Sequence, residues 1–219
     1  MTQFINEDKV QVTNIETAGF KTAIRGMRNP MNSWDKSDSY VDENGIFILG
    51  ENDKDLAQRL INAGKEHGKL LRQIYIGFDV NFPRYIYSEL DTYNHAPRNS
   101  CSTMHKLLQK NNPITLDEFI YHPQDEEILL KIIEHLNILR VLYFNPATKD
   151  KNEILRRAKA LLPEGFLQKR TIATNYEVLR NIYYQRVYHP HRLPEWKVFG
   201  NVIEQLPYSD ELITYGLKN

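Results

Sequence analysis

Residues 82–105 of the chain read FPRYIYSELDTYNHAPRNSCSTMH, and this stretch is the most informative about the fold. An apolar run ends at Phe82. Pro83 follows, a residue that suits the first turn of a helix, so we predict a helix over about residues 84–91. The next residues form a polar segment rich in Asn, Ser, His and Arg. Because loops held on a rigid scaffold concentrate binding and catalytic residues, this segment is the first candidate for a functional site.

Hydrophobic periodicity predicts a small sheet covered by helices. Residues 72–80 alternate apolar with polar or small side chains, as a half-buried strand does. A shorter alternation over residues 9–13 predicts an edge strand that ends at Asn14. Apolar spacing, capping residues and prolines predict helices over residues 21–28, 53–67 with Asp53 as N-cap, 125–144, 149–162 and 171–187, and a last helix from Pro194. The predicted fold class is α+β, with helices packed on a small antiparallel β-sheet.

The composition narrows the class of protein. A length of 219 residues makes one compact domain over residues 1–219 the default expectation. The 28 basic and 28 acidic residues balance, so nothing favours nucleic acid or a membrane surface as a partner. No apolar run approaches the roughly 20 residues that span a bilayer, and the acidic N-terminus is unlike a signal peptide. The single cysteine, Cys101, fits a reducing compartment, so we expect a cytoplasmic protein.

The residues alone give few candidates for chemistry. The closest histidine pair, His189-Pro190-His191, would diverge around its proline, and zinc needs three or four converging groups, so we expect no metal site. Cys101 and His105 could form a thiolate pair, although a small buried cysteine is the commoner situation. Arg186 stands among apolar and aromatic residues; if that face is buried, its guanidinium needs an anion or a carboxylate partner.

The spacing of several polar residues resembles that of the flavin-dependent thymidylate synthases, over roughly residues 20–200. An A-x-R-x-x-R-like segment of that family looks like residues 23–28 here. Its R-H-R motif, followed after seven intervening residues by a serine, falls on Thr92-Tyr93-Asn94 and Ser102. Other positions that match the family by spacing are His67, Asn99, residues 158–163, Asn175, Asn181 and Arg186. The resemblance implies the fold of that family, and a homo-oligomer, expected to be a tetramer, with sites between its subunits.

The resemblance also implies roles for individual residues. Positioning or proton handling at the reacting centre would fall to Ser102, Tyr93 and Asn99. Contacts to the cofactor, FAD, would fall to His67, Asn94, Asn99, Asn175 and Asn181. Contacts to the substrate, a pyrimidine nucleotide of the dUMP type, would fall to Arg186, Lys159, Glu89 and Ser102.

The chain departs from the family at charged positions. The basic R-H-R triplet, which contacts the flavin in the family, is the neutral Thr92-Tyr93-Asn94. Lys159 replaces a substrate-binding arginine, which keeps the charge but loses the planar fork. Arg72 stands at a family glutamate and Glu177 at a family arginine. These changes predict weaker FAD binding than in the family, unless Lys69 or Arg72 supplies a new cation.

Two functions therefore remain open. The first is an enzyme similar to the family, a methyltransferase that passes a one-carbon unit to C5 of a pyrimidine nucleotide with a reduced flavin. The second is a degenerate homologue that holds a nucleotide or a partner without redox chemistry. The joint match of Asn99, Ser102, Asn175, Asn181 and Arg186 favours the enzyme, and flavin bound to the purified protein would distinguish the two.

Overall fold

Helices and short strands make up the chain, which a computed structural model describes over residues 3–189 and 193–217. The strands are Gln11–Ala18 (β1), Tyr40–Val41 (β2), Phe47–Ile48 (β3), Tyr75–Pro83 (β4), Arg98–Ser100 (β5) and Leu167–Asn175 (β6). The α-helices are Phe20–Met27 (α1), Glu51–Asn62 (α2), Leu70–Gln73 (α3), Arg84–Leu90 (α4), Thr103–Lys106 (α5), Glu126–Phe144 (α6), Lys151–Leu161 (α7), Tyr176–Ile182 (α8) and Glu195–Glu204 (α9). Two π-helical turns follow α8 and α9, at Tyr183–Tyr188 and Ser209–Ile213.

The strands form one four-stranded sheet and one small hairpin. The sheet has the order β1-β4-β6-β5. In the hairpin, β2 and β3 pair antiparallel, with Tyr40 opposite Ile48 and Val41 opposite Phe47. The predicted α+β class, helices with a small antiparallel sheet, is confirmed. No described helix is long and apolar enough to cross a membrane.

The chain divides into two compact units. The first unit comprises the described parts of Met1–Gln11, Val80–Leu90 and Asn99–Arg170. The second unit comprises the described parts of Val12–Asp79, Asp91–Arg98 and Thr171–Asn219. The expectation of a single domain stays a prediction.

The core of the first unit forms around α6 and α7. The α6 residues Leu129, Ile133, Leu136 and Leu139 are buried in one cluster with residues of α7 and of the segment before α6. The predicted helix is therefore confirmed, but its apolar stripe is wider than the core. Ile128 at the start of α6 is 62% exposed, since only about half of a helix surface can face one neighbouring element.

The second unit packs the first part of β4 (residues 75–79), α1, α8 and α9 around aromatic side chains. Along β4, Ile76 and Phe78 are buried, as the predicted alternation requires. The ring of Phe20 on α1 lies 5.6 Å from the rings of both Tyr176 and Tyr208. Burial raises the pKa of the Tyr176 hydroxyl, which donates to the carbonyl of Pro207. This aromatic packing fixes α8, the helix that precedes Arg186.

A buried ion pair anchors the polar segment 29–44 in the second unit. Arg28 is 4% exposed and Asp53 is fully buried, and the Nε of Arg28 donates to Asp53 Oδ1. Asp53 Oδ2 accepts from the hydroxyl of Ser37 at 2.7 Å and from the backbone N–H of Ser39 at 3.0 Å. Burial alone would raise the pKa of Asp53, but hydrogen bonds from Ser39, Ser37 and Arg28 outweigh it and hold the pKa below its usual value. The expected N-cap role of Asp53 is therefore wrong, because α2 begins at Glu51 and Asp53 points inward from its first turn.

Two other sequence predictions need correction. The strand expected over residues 9–13 is β1, which begins at Gln11 and continues to Ala18. Asn14 takes a positive φ of 52° and breaks the alternation without ending the strand. The helix expected over residues 171–187 is wrong in its first part, which belongs to β6. Its β-branched residues Thr171, Ile172 and Thr174 favour a strand, and the helix starts only after Asn175.

Candidate functional site

The segment between α4 and β5 carries two of the predicted site residues. An ion pair of 3.1 Å between Asp91 and Arg98 joins the two ends of the segment. Tyr93 is partly buried within it, and its hydroxyl donates to Oε1 of Gln185 at 2.9 Å. Asn94 is exposed in the same turn. The ion pair and the hydrogen bond together hold the tyrosine side chain in a defined place.

Arg186 contacts this segment from the π-helical turn that follows α8. Its Nε donates to the hydroxyl of Tyr93 at 3.2 Å, and its guanidinium carbon lies 5.5 Å from the ring centre of the fully buried Trp196. Ile182 and Tyr183 beside it are buried, as expected of an apolar face. Two carboxylates are the structural alternatives to a ligand for Arg186, namely Glu177 and Glu195. Glu177 is bound by Arg72, and Glu195 is buried in the first turn of α9. The structure thus brings Tyr93, Gln185 and Arg186 together, and we call them, with Trp196, the Arg186 cluster.

The two asparagines predicted to contact a flavin lie at either end of α8. The Oδ1 of Asn175 accepts from the backbone N–H of Val178 at 3.1 Å, which makes Asn175 the N-cap of the helix. Asn181 is partly buried in the last turn of α8. The structure shows a helix-capping role for Asn175, and the cofactor role stays a prediction.

A shallow cavity of about 240 Å³ lies beside Asn175. It is lined by Arg72, Gln73, Tyr75, His95, Pro97, Ala173, Thr174 and Asn175. Thr174 is 7% exposed, and its hydroxyl has no hydrogen-bond partner among the described residues. A buried hydroxyl without a partner costs free energy, so this wall of the second unit suits a polar ligand atom.

His67 lies in the turn between α2 and α3, exposed at the rim of a larger groove. The groove has a volume of about 630 Å³. Its apolar lining includes Met27, Leu56 and Leu60. Lys69 and His67 contribute polar groups to the same lining. An apolar groove with a few polar groups at its rim is the usual form of a site for a cofactor or other small molecule.

The remaining predicted site residues belong to the first unit. Asn99 is exposed in β5, and Ser102 is partly buried just before α5, beside a cavity of about 210 Å³. Glu89 is partly buried on α4, and Lys159 is exposed in the last turn of α7. The cavity at Ser102 is also lined by Cys101, Lys106, Gln168 and Lys169. Cys101 is exposed, so the expectation of a small buried cysteine is wrong.

No group of three or more His, Cys, Asp or Glu side chains gathers as a metal site would require within residues 3–189 and 193–217. Of the histidine pair considered above, Pro190 and His191 lie outside the described residues.

Comparisons with known proteins give matches among solved structures. No protein-family model and no curated protein matches the chain. Two crystal structures of the flavin-dependent thymidylate synthase ThyX from Helicobacter pylori, complexed with FAD and dUMP, superpose with TM-scores of 0.67 and 0.69. They are 21% and 20% identical, cover 93% and 96% of this chain, and are themselves covered to 97% and 99%. The chain has the fold of the flavin-dependent thymidylate synthases.

A third solved structure with this fold comes from a different enzyme. The UMP/dUMP methylase PolB from Streptomyces cacaoi, bound with 5-Br dUMP, superposes with a TM-score of 0.56 at 15% identity. The match covers 90% of this chain and 89% of that one. The thymidylate synthase fold implied by the polar spacing of the sequence is therefore confirmed.

Within this fold, two positions that invert the charge expected from the resemblance form one ion pair. The Nε of Arg72 lies 2.9 Å from both carboxylate oxygens of Glu177, and its Nη2 donates to the carbonyl of Lys65 at 2.8 Å. The resemblance would put a glutamate at the first position and an arginine at the second, so the ion pair has the reverse polarity here. Arg72 is engaged by these contacts, so Lys69 is the better candidate for a new cation toward a ligand.

Sequence reasoning missed Gln185 and Trp196, both members of the Arg186 cluster. Gln185 meets Tyr93, a residue 92 positions earlier in the chain. Trp196 follows Arg186 after a proline-interrupted stretch, so helical spacing gives no hint that it underlies the guanidinium. Only the tertiary structure reveals these two contacts.

Proposed function

We propose that the chain binds a pyrimidine nucleotide of the dUMP type and transfers a one-carbon unit to C5 of its base, with reduced FAD as the redox cofactor. The observation that carries the proposal is the contact of Tyr93 with Arg186, two residues 93 positions apart. The resemblance puts one at the flavin motif and the other at the substrate. The fold that holds them is also the fold of proteins crystallised with FAD and dUMP.

Arg186 is the proposed nucleotide ligand. Its guanidinium can hold a phosphate or a pyrimidine carbonyl with charge-assisted hydrogen bonds. Tyr93 and Trp196 restrict the side chain, so less conformational entropy is lost when the nucleotide binds. Ser102 and Asn99 are proposed to contact the substrate or take part at the reacting centre, and Glu89 and Lys159 are proposed as further substrate contacts.

The second unit has residues that fit a flavin. The groove at His67 and Lys69 offers apolar walls for a ring system and the cation of Lys69, with the carboxylate of Glu66 also in its lining. The buried Thr174 hydroxyl beside Asn175 is available to a polar atom. Bound reduced FAD would supply the hydride that takes a carbon at the methylene level to a methyl group, while the proton at C5 is lost. Asn94, Asn175 and Asn181 are proposed as further flavin contacts.

A second candidate function is supported by charge. Thr92-Tyr93-Asn94 carries no cation, and Arg72 is bound by Glu177. The FAD diphosphate would therefore meet fewer cations than in the family. A homologue that binds the nucleotide but no flavin would have this distribution of charge.

The test measures ligand binding and the reaction in separate assays. Visible absorption of the purified protein, before and after incubation with FAD, reports flavin binding, and calorimetric titration with dUMP and UMP reports nucleotide binding. Release of tritium from dUMP tritiated at C5, with a reductant, FAD and a methylene donor, reports the reaction. Tritium release that is lost in Arg186→Ala and kept in a control, Arg156→Ala on the exposed side of α7, supports the enzyme.

The other outcomes also decide between the functions. Binding of dUMP without flavin and without tritium release favours the second candidate. A protein that binds neither dUMP nor UMP overturns both.

A further inference from the structure

The direction of the hydrogen bonds in the Arg186 cluster restricts what Tyr93 can do. An arginine side chain has donors and no acceptor, so in its contact with Arg186 the hydroxyl oxygen of Tyr93 must accept. The single proton of that hydroxyl is donated to Oε1 of Gln185 at 2.9 Å. Donation therefore runs one way, from Arg186 to Tyr93 and from Tyr93 to Gln185.

We propose that Tyr93 is a positioning residue, which holds the Arg186 guanidinium in place for the nucleotide and does not itself exchange a proton with it. This inference rests on the proposed function and changes the role that the resemblance implies for Tyr93. The proton that a general acid would need is donated to Gln185. A neutral hydroxyl can fill this place, where a cationic side chain would repel the guanidinium.

A second contact restricts the same guanidinium from another side. The buried ring of Trp196 lies 5.5 Å from its central carbon, within the range of a cation–π interaction. The Tyr93 contact engages Nε, so the two contacts act on different parts of the group. The backbone that carries Arg186 is a π-helical turn, a feature that is rare in proteins and frequent at functional sites.

The first experiment needs no ligand. Solvent exchange of the Arg186 Nε–H is measured by nuclear magnetic resonance in the wild type, in Tyr93→Phe and in Tyr184→Phe as a matched control. Tyr184 is a neighbouring tyrosine on the same turn, 45% exposed and stacked on Tyr188. We expect exchange about tenfold faster in Tyr93→Phe only, the scale of one lost hydrogen bond to a charged group. Equal exchange in all three proteins would show that Tyr93 does not hold Arg186.

The second experiment tests whether the contact of Tyr93 with Arg186 contributes to nucleotide binding. Tyr93→Phe is expected to weaken dUMP binding about tenfold, and Arg186→Ala to weaken it further. The double variant should bind no more weakly than Arg186→Ala alone, because a positioning residue has no effect once its target is gone. In the tritium-release assay, KM for dUMP should rise in Tyr93→Phe and kcat should stay near the wild-type value.

Two results would overturn the positioning role while leaving the proposed function in place. One is an additive loss of affinity in the double variant, which would mean that Tyr93 contacts the nucleotide directly. The other is a collapse of kcat in Tyr93→Phe at saturating dUMP with unchanged affinity, as expected of a proton donor. Failure of the wild type to bind dUMP would instead overturn the proposed function, and with it the role for nucleotide binding assigned here to Tyr93.

Discussion

Replacing Asp53 by asparagine is expected to lower the free energy of unfolding by about 3–5 kcal/mol, the cost of breaking a buried ion pair. Asp53 is fully buried and Arg28 is 4% exposed, so the remaining guanidinium would have no water to solvate it. Asparagine keeps the shape but turns one acceptor oxygen into a donor. That donor would face either the Nε of Arg28 or the donors from Ser37 and Ser39.

Urea denaturation followed by tryptophan fluorescence measures this loss, because Trp34 and Trp196 both belong to the second unit. The control is Asp55→Asn, the same change on the same helix, where the carboxylate pairs with Arg59 at 2.9 Å and is 67% exposed. An exposed pair contributes about 0–1 kcal/mol, so the control should stay within that range. Equal losses in the two variants, or a loss below about 1 kcal/mol for Asp53→Asn, would refute the argument from burial.

Acid should lower the stability of the folded protein by protonating the Asp53 carboxylate. The pKa of Asp53 in the folded protein lies below its ordinary value of 3.8. The ionised form therefore contributes stability that is fully present above that value and is lost as the pH falls through the folded pKa. Stability measured on either side of this range should fall with acid more steeply in the wild type than in Asp53→Asn, and parallel curves would contradict the assignment.

Three further predictions concern the ligands, the helix cap and the assembly. Arg186→Ala should weaken dUMP binding by about 2–4 kcal/mol in calorimetric titration, with an unchanged melting temperature. Arg186→Lys should recover only part of this loss, and a lowered melting temperature with unchanged titration would instead indicate a structural role. Asn175→Ala should cost about 1 kcal/mol of stability in thermal unfolding through loss of the α8 N-cap. The exposed control Asn94→Ala should change stability by less than about 0.5 kcal/mol, and similar losses in both would argue against the cap. Light scattering should show a homotetramer at micromolar concentration, and a stable monomer would exclude sites shared between subunits.

The sequence predicted those elements whose periodicity survives in the fold. The alternation along β4 and the apolar spacing in α6 are strong local signals, since each element buries one face against a neighbouring layer. The stretch 171–187 misled because Ile172, Leu179 and Ile182 also fit a helical spacing, while strand pairing in the sheet decided the conformation of its first residues.

The candidate site was harder to predict because its contacts are non-local. Its apolar neighbours and its spacing selected Arg186, but the contact with Tyr93 depends on how a loop packs on a turn far along the chain. The burial of Arg28 follows from its partner Asp53, 25 residues away, and no local pattern indicates which of the two neighbouring arginines turns inward. Arg25, which lies in α1 three residues before Arg28, is exposed.

The ion pair between Arg72 and Glu177 has a consequence for the ancestry of the chain. If the ancestral pair was the glutamate and arginine that the resemblance implies, single substitutions reach the present pair only through an intermediate with two like charges or with one neutral member. Two like charges at about 3 Å repel each other, so the like-charged intermediates would be counter-selected. Related chains should therefore show the two positions changing together, as opposite pairs or as pairs with a neutral member, and frequent arginine–arginine pairs would contradict this expectation.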